Sequence, residues 1–393
     1  MLSRLKQLVV YALNPLVLLS CAGMASAKEA GSDQPEGWSL LNMPVGVTES
    51  ARNSYDIHMY VIWVCVAIGV VVFGVMIYSM LAHRKSLGHE PATFHESTTV
   101  ELAWTIIPVF ILVALAVPAT TSMVERYDSS EADIDIKITG YQWKWQYEYL
   151  GEDIQFMSEL STSEPAIYGK ESKTEYYLTE VNEPLVIPVG KKVRFLVTAK
   201  DVIHAWWVPD LGVKKDAIPG FINETWTRVE EPGIYRGFCA ELCGKGHAFM
   251  PVVVNVVEAD EYAQWLADKK AAVAAERELA NKSFTLEELM AKGEEAYNRS
   301  CASCHMANGE GIPGAFPGLK ASPLTLGPVA DHIDMVVNGS ATNAAMQAFG
   351  GQLSEVDLAA IITYERNAWG NDALGDDDKI VQPIDVLKFK QGQ

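Results

Sequence analysis

Two apolar runs, residues 59–82 and 102–123, contain no Asp, Glu, Lys, Arg or His. Each is longer than the roughly 20 residues that a helix needs to cross a hydrocarbon core. Backbone polar groups in lipid must be satisfied within the segment, so runs of this kind resolve as membrane helices. Gly69, Gly74 and Pro118 are tolerable in such helices. His83, Arg84 and Lys85 stand in the short connector, and basic residues favour the cytoplasmic side. The pattern predicts a two-helix hairpin over 57–125, with the connector in the cytoplasm and everything beyond the second span outside. A hairpin buried in a soluble protein is the alternative, and the lengths argue against it. Cys65 lies mid-span and reads as packing.

The start of the chain agrees with export. Arg4 and Lys6 precede the mostly apolar run 8–19, and Ala25-Ser-Ala27 is a small-residue cleavage site. Leu18-Leu-Ser-Cys21 offers an alternative, a lipoprotein signal that would leave Cys21 acylated. The formal net charge is −19, which excludes a nucleic-acid reader, because nothing basic clusters to meet phosphate. It suits attraction of basic protein partners.

The segment Cys239-Ala-Glu-Leu-Cys-Gly-Lys-Gly-His-Ala-Phe-Met250 places two thiols, an imidazole and a thioether together. Soft sulfur ligands favour copper, and a weak Met beside Cys and His marks copper electron-transfer sites. Cys243, His247 and Met250 alone would suit a mononuclear site, completed by His204 from Asp201-Val-Ile-His204. Cys239 is then a second thiolate, and two sulfurs can bridge two metal ions. A backbone carbonyl, that of Glu241, would complete the set. Structural zinc is the rival, but zinc has no use for Met250. A disulfide is another, given an oxidising compartment.

Residues 134–257 read as β-rich. In Tyr141-Gln-Trp-Lys-Trp-Gln-Tyr-Glu-Tyr149 every odd position is aromatic and every even one polar, which predicts one half-buried strand. Residues 185–189, 193–198 and 251–257 add short strands between Gly, Pro, Asn and Asp punctuation. Short strands with ligand loops near the end of the region predict a Greek-key β-sandwich.

Residues 261–282, rich in Ala, Glu and Lys, read as a helical connector. Cys301-Ala-Ser-Cys304-His305 follows, the C-x-x-C-H pattern of covalent haem attachment. The two thiols would add to the haem vinyl groups and His305 would bind the iron. The remaining chain suffices for a small helical domain around its cofactor. Met346, in Asn343-Ala-Ala-Met-Gln-Ala-Phe-Gly350 ahead of an amphipathic helix over Glu355–Asn367, is the predicted sixth ligand, with Met335 and His332 as rivals. Met306 is too close to His305 to reach the opposite face. The acidic stretch Asp376-Asp-Asp378 reads as solvated.

These motifs together resemble cytochrome c oxidase subunit II proteins that carry a fused C-terminal cytochrome c. The resemblance implies a multidomain membrane protein: a transmembrane hairpin, a cupredoxin β-sandwich and an all-α class I cytochrome c domain. It implies a binuclear copper centre, CuA, in which Cys239 and Cys243 bridge both coppers. His204 and Met250 would complete one copper, and His247 with the Glu241 carbonyl the other. It implies one covalent haem c on Cys301, Cys304, His305 and Met346. The Glu241 carboxylate would reach a magnesium site shared with subunit I, in keeping with that cation's taste for oxygen ligands. The run Gly140-Tyr-Gln-Trp-Lys-Trp145 is similar to the family's electron-entry region, which makes Trp143 the entry residue. Val100-Glu-Leu-Ala-Trp-Thr-Ile-Ile-Pro108 is similar to its second helix, which puts Glu101 at the mouth of a proton-uptake path. Lys215-Asp-Ala-Ile-Pro-Gly220 also matches, and implies a shaped turn.

The implied activity is transfer of electrons from cytochrome c to the haem-copper oxygen-reducing site of subunit I, coupled to proton pumping. Implied partners are subunit I, subunit III, a cytochrome c donor and the lipid bilayer, with no nucleic acid. The implied location is a bacterial inner membrane, with copper and haem domains on the extracytoplasmic side. The expected divisions are a signal peptide 1–27, an exported segment 28–56, the hairpin 57–125, a copper domain 132–258, a linker 259–283, a haem domain 284–372 and a tail 373–393. Quinol-oxidase relatives lack the copper ligands. A CuA-bearing nitrogen-oxide reductase, a copper assembly or storage protein and an anchored cytochrome without copper are the other readings. The two spans and Glu101 favour an oxidase.

Overall fold

A computed structural model describes residues 41–90, 93–340, 342–343, 346–372 and 379–392. The export signal, Cys21 and the Asp376–Asp378 stretch lie outside the described residues. Residues 45–393 form one unit by internal contact, and residues 1–44 form another, of which only 41–44 are described.

Two helices, α1 (Glu49–Ala82) and α2 (Thr98–Tyr127), are long and apolar enough to cross a membrane. Their apolar side chains are almost all exposed, among them Val70, Phe73, Trp104 and Phe110, as expected of surfaces that meet lipid or a membrane partner. Thr48 caps α1 by accepting from the Ala51 N–H, and its hydroxyl donates to the Leu211 carbonyl at 3.0 Å. At Gly212, where φ is +65°, a Cβ would come within 2.8 Å of the Ala51 backbone, so a side chain there would push the anchor away. Arg126, near the end of α2, donates to the carbonyls of Ser50 and Gly212. The outer ends of both spans are thus tied to each other and to the domain beyond.

That domain is a β-sandwich. One sheet has the order β3-β2-β1-β5-β8 and the other β4-β10-β9-β6-β7. The strands are β1 (Ile134–Tyr141), β2 (Lys144–Tyr149), β3 (Ile154–Ser158), β4 (Leu185–Pro188), β5 (Val193–Ala199), β6 (His204–Val208), β7 (Val213–Ala217), β8 (Asn223–Thr227), β9 (Gly233–Cys239) and β10 (Val252–Val257). Ile136, Ile138, Trp145, Tyr147, Phe195, Trp206, Val252 and Val254 fill the space between the sheets. Each such side chain contributes ~1.5–3 kcal/mol on burial.

The aromatic run is not one strand. β1 ends at Tyr141, residues 142–143 form a tight turn, and β2 returns antiparallel with Tyr141 opposite Lys144 and Gly140 opposite Trp145. The turn reverses the parity of the alternation. Trp145, Tyr147 and Tyr149 share a face with Ile136 and Ile138, whereas Tyr141 shares the other face with Lys144 and Gln146. Trp143 is left at the tip.

A helix, α3 (Ala259–Ala280), follows the sandwich and lies along it. Trp265 packs on Tyr149 with ring centroids 5.1 Å apart. Lys269 pairs with Glu183, Lys270 with Glu152 and Arg277 with Asp153. The C-terminal region contains α4 (Leu286–Ser300), the short α5 (Ala302–His305), α6 (Val329–Asn338), α7 (Glu355–Asn367) and α8 (Pro383–Lys390). A capping box joins Thr285 and Glu288 at the start of α4. Helix α7 has the predicted bounds but is not amphipathic in its surroundings. It is buried on nearly every side, including Glu365 and Arg366. Its polar groups are satisfied internally: Arg366 donates to the carbonyls of Thr325 and Gly327, and Glu365 lies 2.8 Å from Nε2 of His332.

Candidate functional site

The β9–β10 connector closes over the end of the sandwich and gathers the sulfur residues. Cys239 ends β9 opposite Trp206 of β6, and the Ala240 N–H donates to the Ala205 carbonyl at 3.0 Å. This ladder sets Cys239 beside His204, the first residue of β6. The sulfurs of Cys239 and Cys243 lie 3.8 Å apart. Nδ1 of His204 is 3.9 Å from the Cys239 sulfur, and Nδ1 of His247 is 3.5 Å from the Cys243 sulfur. The Met250 sulfur stands 3.6 Å from Cys243, and the Glu241 carbonyl 3.3 Å from the Cys239 sulfur. All six predicted residues therefore converge, with both imidazoles presenting Nδ1. His204, Cys239, Cys243 and Met250 are buried, while His247 and Glu241 are half-buried.

The electrostatics of this pocket call for a cation. Burial pushes the Cys239 thiol up, but hydrogen bonds from His204 and from the Ala205 and Glu241 backbone outweigh it, and the thiol sits at about 7. Burial and then the charge on Cys239 push Cys243 up to about 12. For His204 burial works downward, yet the hydrogen bonds to Asp201 and Cys239 together leave it raised. One thiolate is accommodated and the second is resisted, so both ionise together only beside added positive charge. Soft sulfur, imidazole and thioether donors at these separations fit copper, and the thioether speaks against zinc.

The surroundings hold the donors in place. Asp201 Oδ1 lies 2.9 Å from Nε2 of His204, a carboxylate–imidazole pair of the kind that orients metal ligands. Gly140 leaves room for His204, since a Cβ there would sit 2.8 Å from its Cδ2. Gln142 Nε2 and the Trp143 indole N–H both donate to the Cys243 carbonyl, at 2.8 and 3.1 Å. The Trp145 indole donates to the Met250 carbonyl at 3.3 Å. Trp143 is half-buried, its ring lying over Gly246, where a Cβ would come to 2.2 Å from the ring. The tip of the β1–β2 hairpin is thus the floor of the sulfur loop. Asp201 and Gln142 were not singled out by sequence; the only signal was an acid three residues before His204.

Cys301 stands just before α5 and Cys304 within it, both as free thiols, and burial holds Cys301 well above the usual thiol range. Nδ1 of His305 lies 2.9 Å from the Pro317 carbonyl. If Nδ1 carries the proton to that carbonyl, Nε2 is left as the lone-pair nitrogen for iron. Behind it, Tyr297, Tyr364 and Trp369 form an aromatic cluster, with Tyr297 donating to the Met306 carbonyl and Trp369 to that of Ala307. This donor set fits a covalent haem. Met346 lies in the connector between α6 and α7, where its carbonyl accepts from the Ser340 N–H at 3.0 Å. His332, a rival to it, is buried and engaged with Glu365. Glu101 lies in the first turn of α2, its carboxylate 3.3 Å from the Ser97 N–H, remote in sequence from the sulfur cluster.

Three family models match the regions of the chain in which these residues lie. The family described as cytochrome c oxidase subunit II, periplasmic domain, matches residues 134–257, and its transmembrane domain matches 36–121. The family described as cytochrome c oxidase, cbb3-type, subunit III, matches 288–364. A probable cytochrome c oxidase subunit 2 of Rickettsia bellii is 38% identical over 61% of this chain and 87% of its own length. The cytochrome c oxidase subunit 2 of Alkalihalophilus pseudofirmus is 34% identical over 81% of this chain and 87% of its own. The periplasmic domain of cytochrome oxidase subunit II from Bradyrhizobium japonicum is 41% identical, covers 37% of this chain and 98% of that one, and superposes with a TM-score of 0.33. The chain belongs to the cytochrome c oxidase subunit II family, as a membrane-anchored component of a haem-copper oxidase whose C-terminal region is a cytochrome c domain.

Proposed function

We propose that this chain receives electrons from a cytochrome c donor at its own haem c and passes them through a binuclear CuA centre to the haem-copper site of subunit I, where oxygen reduction is coupled to proton pumping. The observation that carries this reading is the convergence of two cysteine sulfurs 3.8 Å apart with two Nδ1 atoms, a thioether and a carbonyl. Cys239 and Cys243 would bridge two coppers; His204 with Met250, and His247 with the Glu241 carbonyl, would complete them. Sharing one electron over two bridged metals spreads the change of geometry on reduction over many bonds, which suits a relay.

The chain's own residues supply rigidity and exclusion of water. Asp201 fixes the His204 ring, Trp143 and Gln142 hold the Cys243 carbonyl, and Trp145 holds that of Met250. Trp143, at the hairpin tip with its ring against Gly246 of the sulfur loop, would be the contact for a docked donor. Cys301 and Cys304 would attach haem c, with His305 and Met346 as its axial ligands. The Glu241 carboxylate would reach a magnesium ion shared with subunit I. Glu101 would lie at the mouth of a proton-uptake path into subunit I, and subunit III completes the set of membrane partners. The location is a bacterial inner membrane, with the copper and haem domains on the extracytoplasmic side. The divisions given under Sequence analysis, from the signal peptide 1–27 to the tail 373–393, serve as working boundaries.

The test is substitution of single ligands in the purified oxidase. Cys239→Ser should abolish the near-infrared mixed-valence copper band, and Met250→Leu should shift it. A band unchanged in both variants refutes the ligand set.

A further inference from the structure

Gln146 is on the outer face of β2, where alternation predicts a solvated side chain, yet only 8% of it is exposed. Its cover comes from the C-terminal region. Gln146 Nε2 donates to the Gly351 carbonyl at 2.6 Å, and its Oε1 accepts from the Tyr141 hydroxyl at 3.3 Å. Tyr141 is itself 4% exposed and stands on this face because of the turn at 142–143. Both ends of the amide are therefore engaged: Nε2 reaches across a junction to a distant part of the chain, while Oε1 is held by the neighbouring strand.

What lies on either side of that junction gives it meaning. Gly351 lies in the same α6–α7 connector as Met346, and the Phe349 and Gly350 N–H groups fasten this connector to α6 through the carbonyls of Val336 and Val337, each at 3.0 Å. On the other side, Gln146 is bonded to Trp145. The Trp145 indole donates to the Met250 carbonyl, and its ring meets His204 edge-on with centroids 5.9 Å apart. A short bonded run thus joins the predicted sixth ligand's connector to two residues of the sulfur cluster.

We propose that Gln146 is the positioning residue that seats the Met346 connector on the copper domain, and that the run Gly351–Gln146–Trp145–Met250 couples the two redox sites; this rests on the redox reading given above. The step moves one electron from reduced haem c to the oxidised copper centre. No bond is made or broken, and no proton moves.

The experiment uses full-length protein with Gln146→Leu, and Tyr141→Phe as a milder variant that keeps the ring. Hydrogen exchange of the backbone amides of 346–353 reports seating and needs neither metal nor haem. A ruthenium photoreductant that reduces haem c, with absorbance followed at the copper band, reports coupling. Gln146→Leu should speed exchange and slow haem-to-copper transfer, each about tenfold, because a buried carbonyl loses its donor. Tyr141→Phe should move both in the same direction by less. The copper spectrum should stay unchanged. Faster exchange with unaltered transfer overturns the coupling route, and no change in either overturns the seating. Should Gln146→Leu fail to fold, Tyr141→Phe decides by the same readouts. A wild-type protein without copper and haem bands would instead refute the underlying reading, while the exchange measurement still decides the seating.

Discussion

Asp201 and His204 form a closed pair at the edge of the sulfur cluster: one carboxylate oxygen lies 2.9 Å from Nε2 of the imidazole, and the other accepts the Gln142 N–H at 2.7 Å. The same side chain thereby orients the imidazole proposed as a copper ligand and pins the hairpin that forms the floor of the site. Asp201→Ala should lower copper affinity about 10- to 100-fold, the usual effect of removing such a partner. Competition against a copper chelator measures this, with circular dichroism to show that the sandwich is intact.

Gly246 is required by the close approach of Trp143. A Cβ would meet the indole at 2.2–2.5 Å, and the ring is held by its bond to the Cys243 carbonyl. Gly246→Ala should cost about 1–3 kcal/mol as an overpacking change, and should shift the copper spectrum because the loop cannot move alone. Thermal unfolding and optical spectra of the variant check both.

Met346 and the attachment cysteines should separate cleanly. Replacing Cys301 and Cys304 together by Ser should remove covalent haem from a denaturing gel. Met346→Leu should keep the covalent haem but lose the Met–iron absorption and lower the reduction potential, since Met/His ligation raises it. Retention of the wild-type spectrum in Met346→Leu would move the sixth ligand elsewhere.

The His332–Glu365 pair is the buried polar link between α6 and α7. Among the described residues Nδ1 of His332 has no hydrogen-bond partner, so Glu365→Leu would leave both ring nitrogens unsatisfied there. The expected loss is about 1–3 kcal/mol, read as an earlier haem-domain transition in a Soret-monitored melt.

Glu276, on the face of α3 toward α7, has its carboxyl raised by partial burial and then by Asp357 and Glu355. A raised carboxyl favours the folded state when protonated, so its contribution is present below the unfolded value and lost as pH rises through the folded one. Glu276→Gln should therefore raise the melting temperature at neutral pH and make little difference in acid. The gain should stay under ~1 kcal/mol for a solvent-screened group. Melts at the two pH values test the sign.

The chemistry was more legible in the sequence than the path of the chain. Sulfur, imidazole and thioether donors are scarce, so Cys239, Cys243, His247 and Met250 announce a soft-metal loop, and Cys301, Cys304 and His305 a haem. Apolar length alone marks both spans. The aromatic run was misleading, because a two-residue turn continues an alternating pattern while exchanging faces. That exchange put Tyr141 beside Gln146 and Trp143 at the tip. The burial of Gln146 depends on a connector some 200 residues away, and that of α7 on helices packed around it; neither leaves a local trace. Asp201 and Gln142 act through other side chains, and single polar residues of that kind carry no pattern.

The account depends most on two sulfurs holding two metals in one electronic unit. Copper and haem should be counted together in the purified full-length protein within its oxidase, alongside the electron paramagnetic resonance spectrum of the copper. About three coppers per haem c of this chain, two held here and one in the haem-copper site of subunit I, with a hyperfine pattern shared equally over two nuclei, is the predicted result. Two coppers in total with a four-line pattern, or copper that gives no redox response, would contradict it.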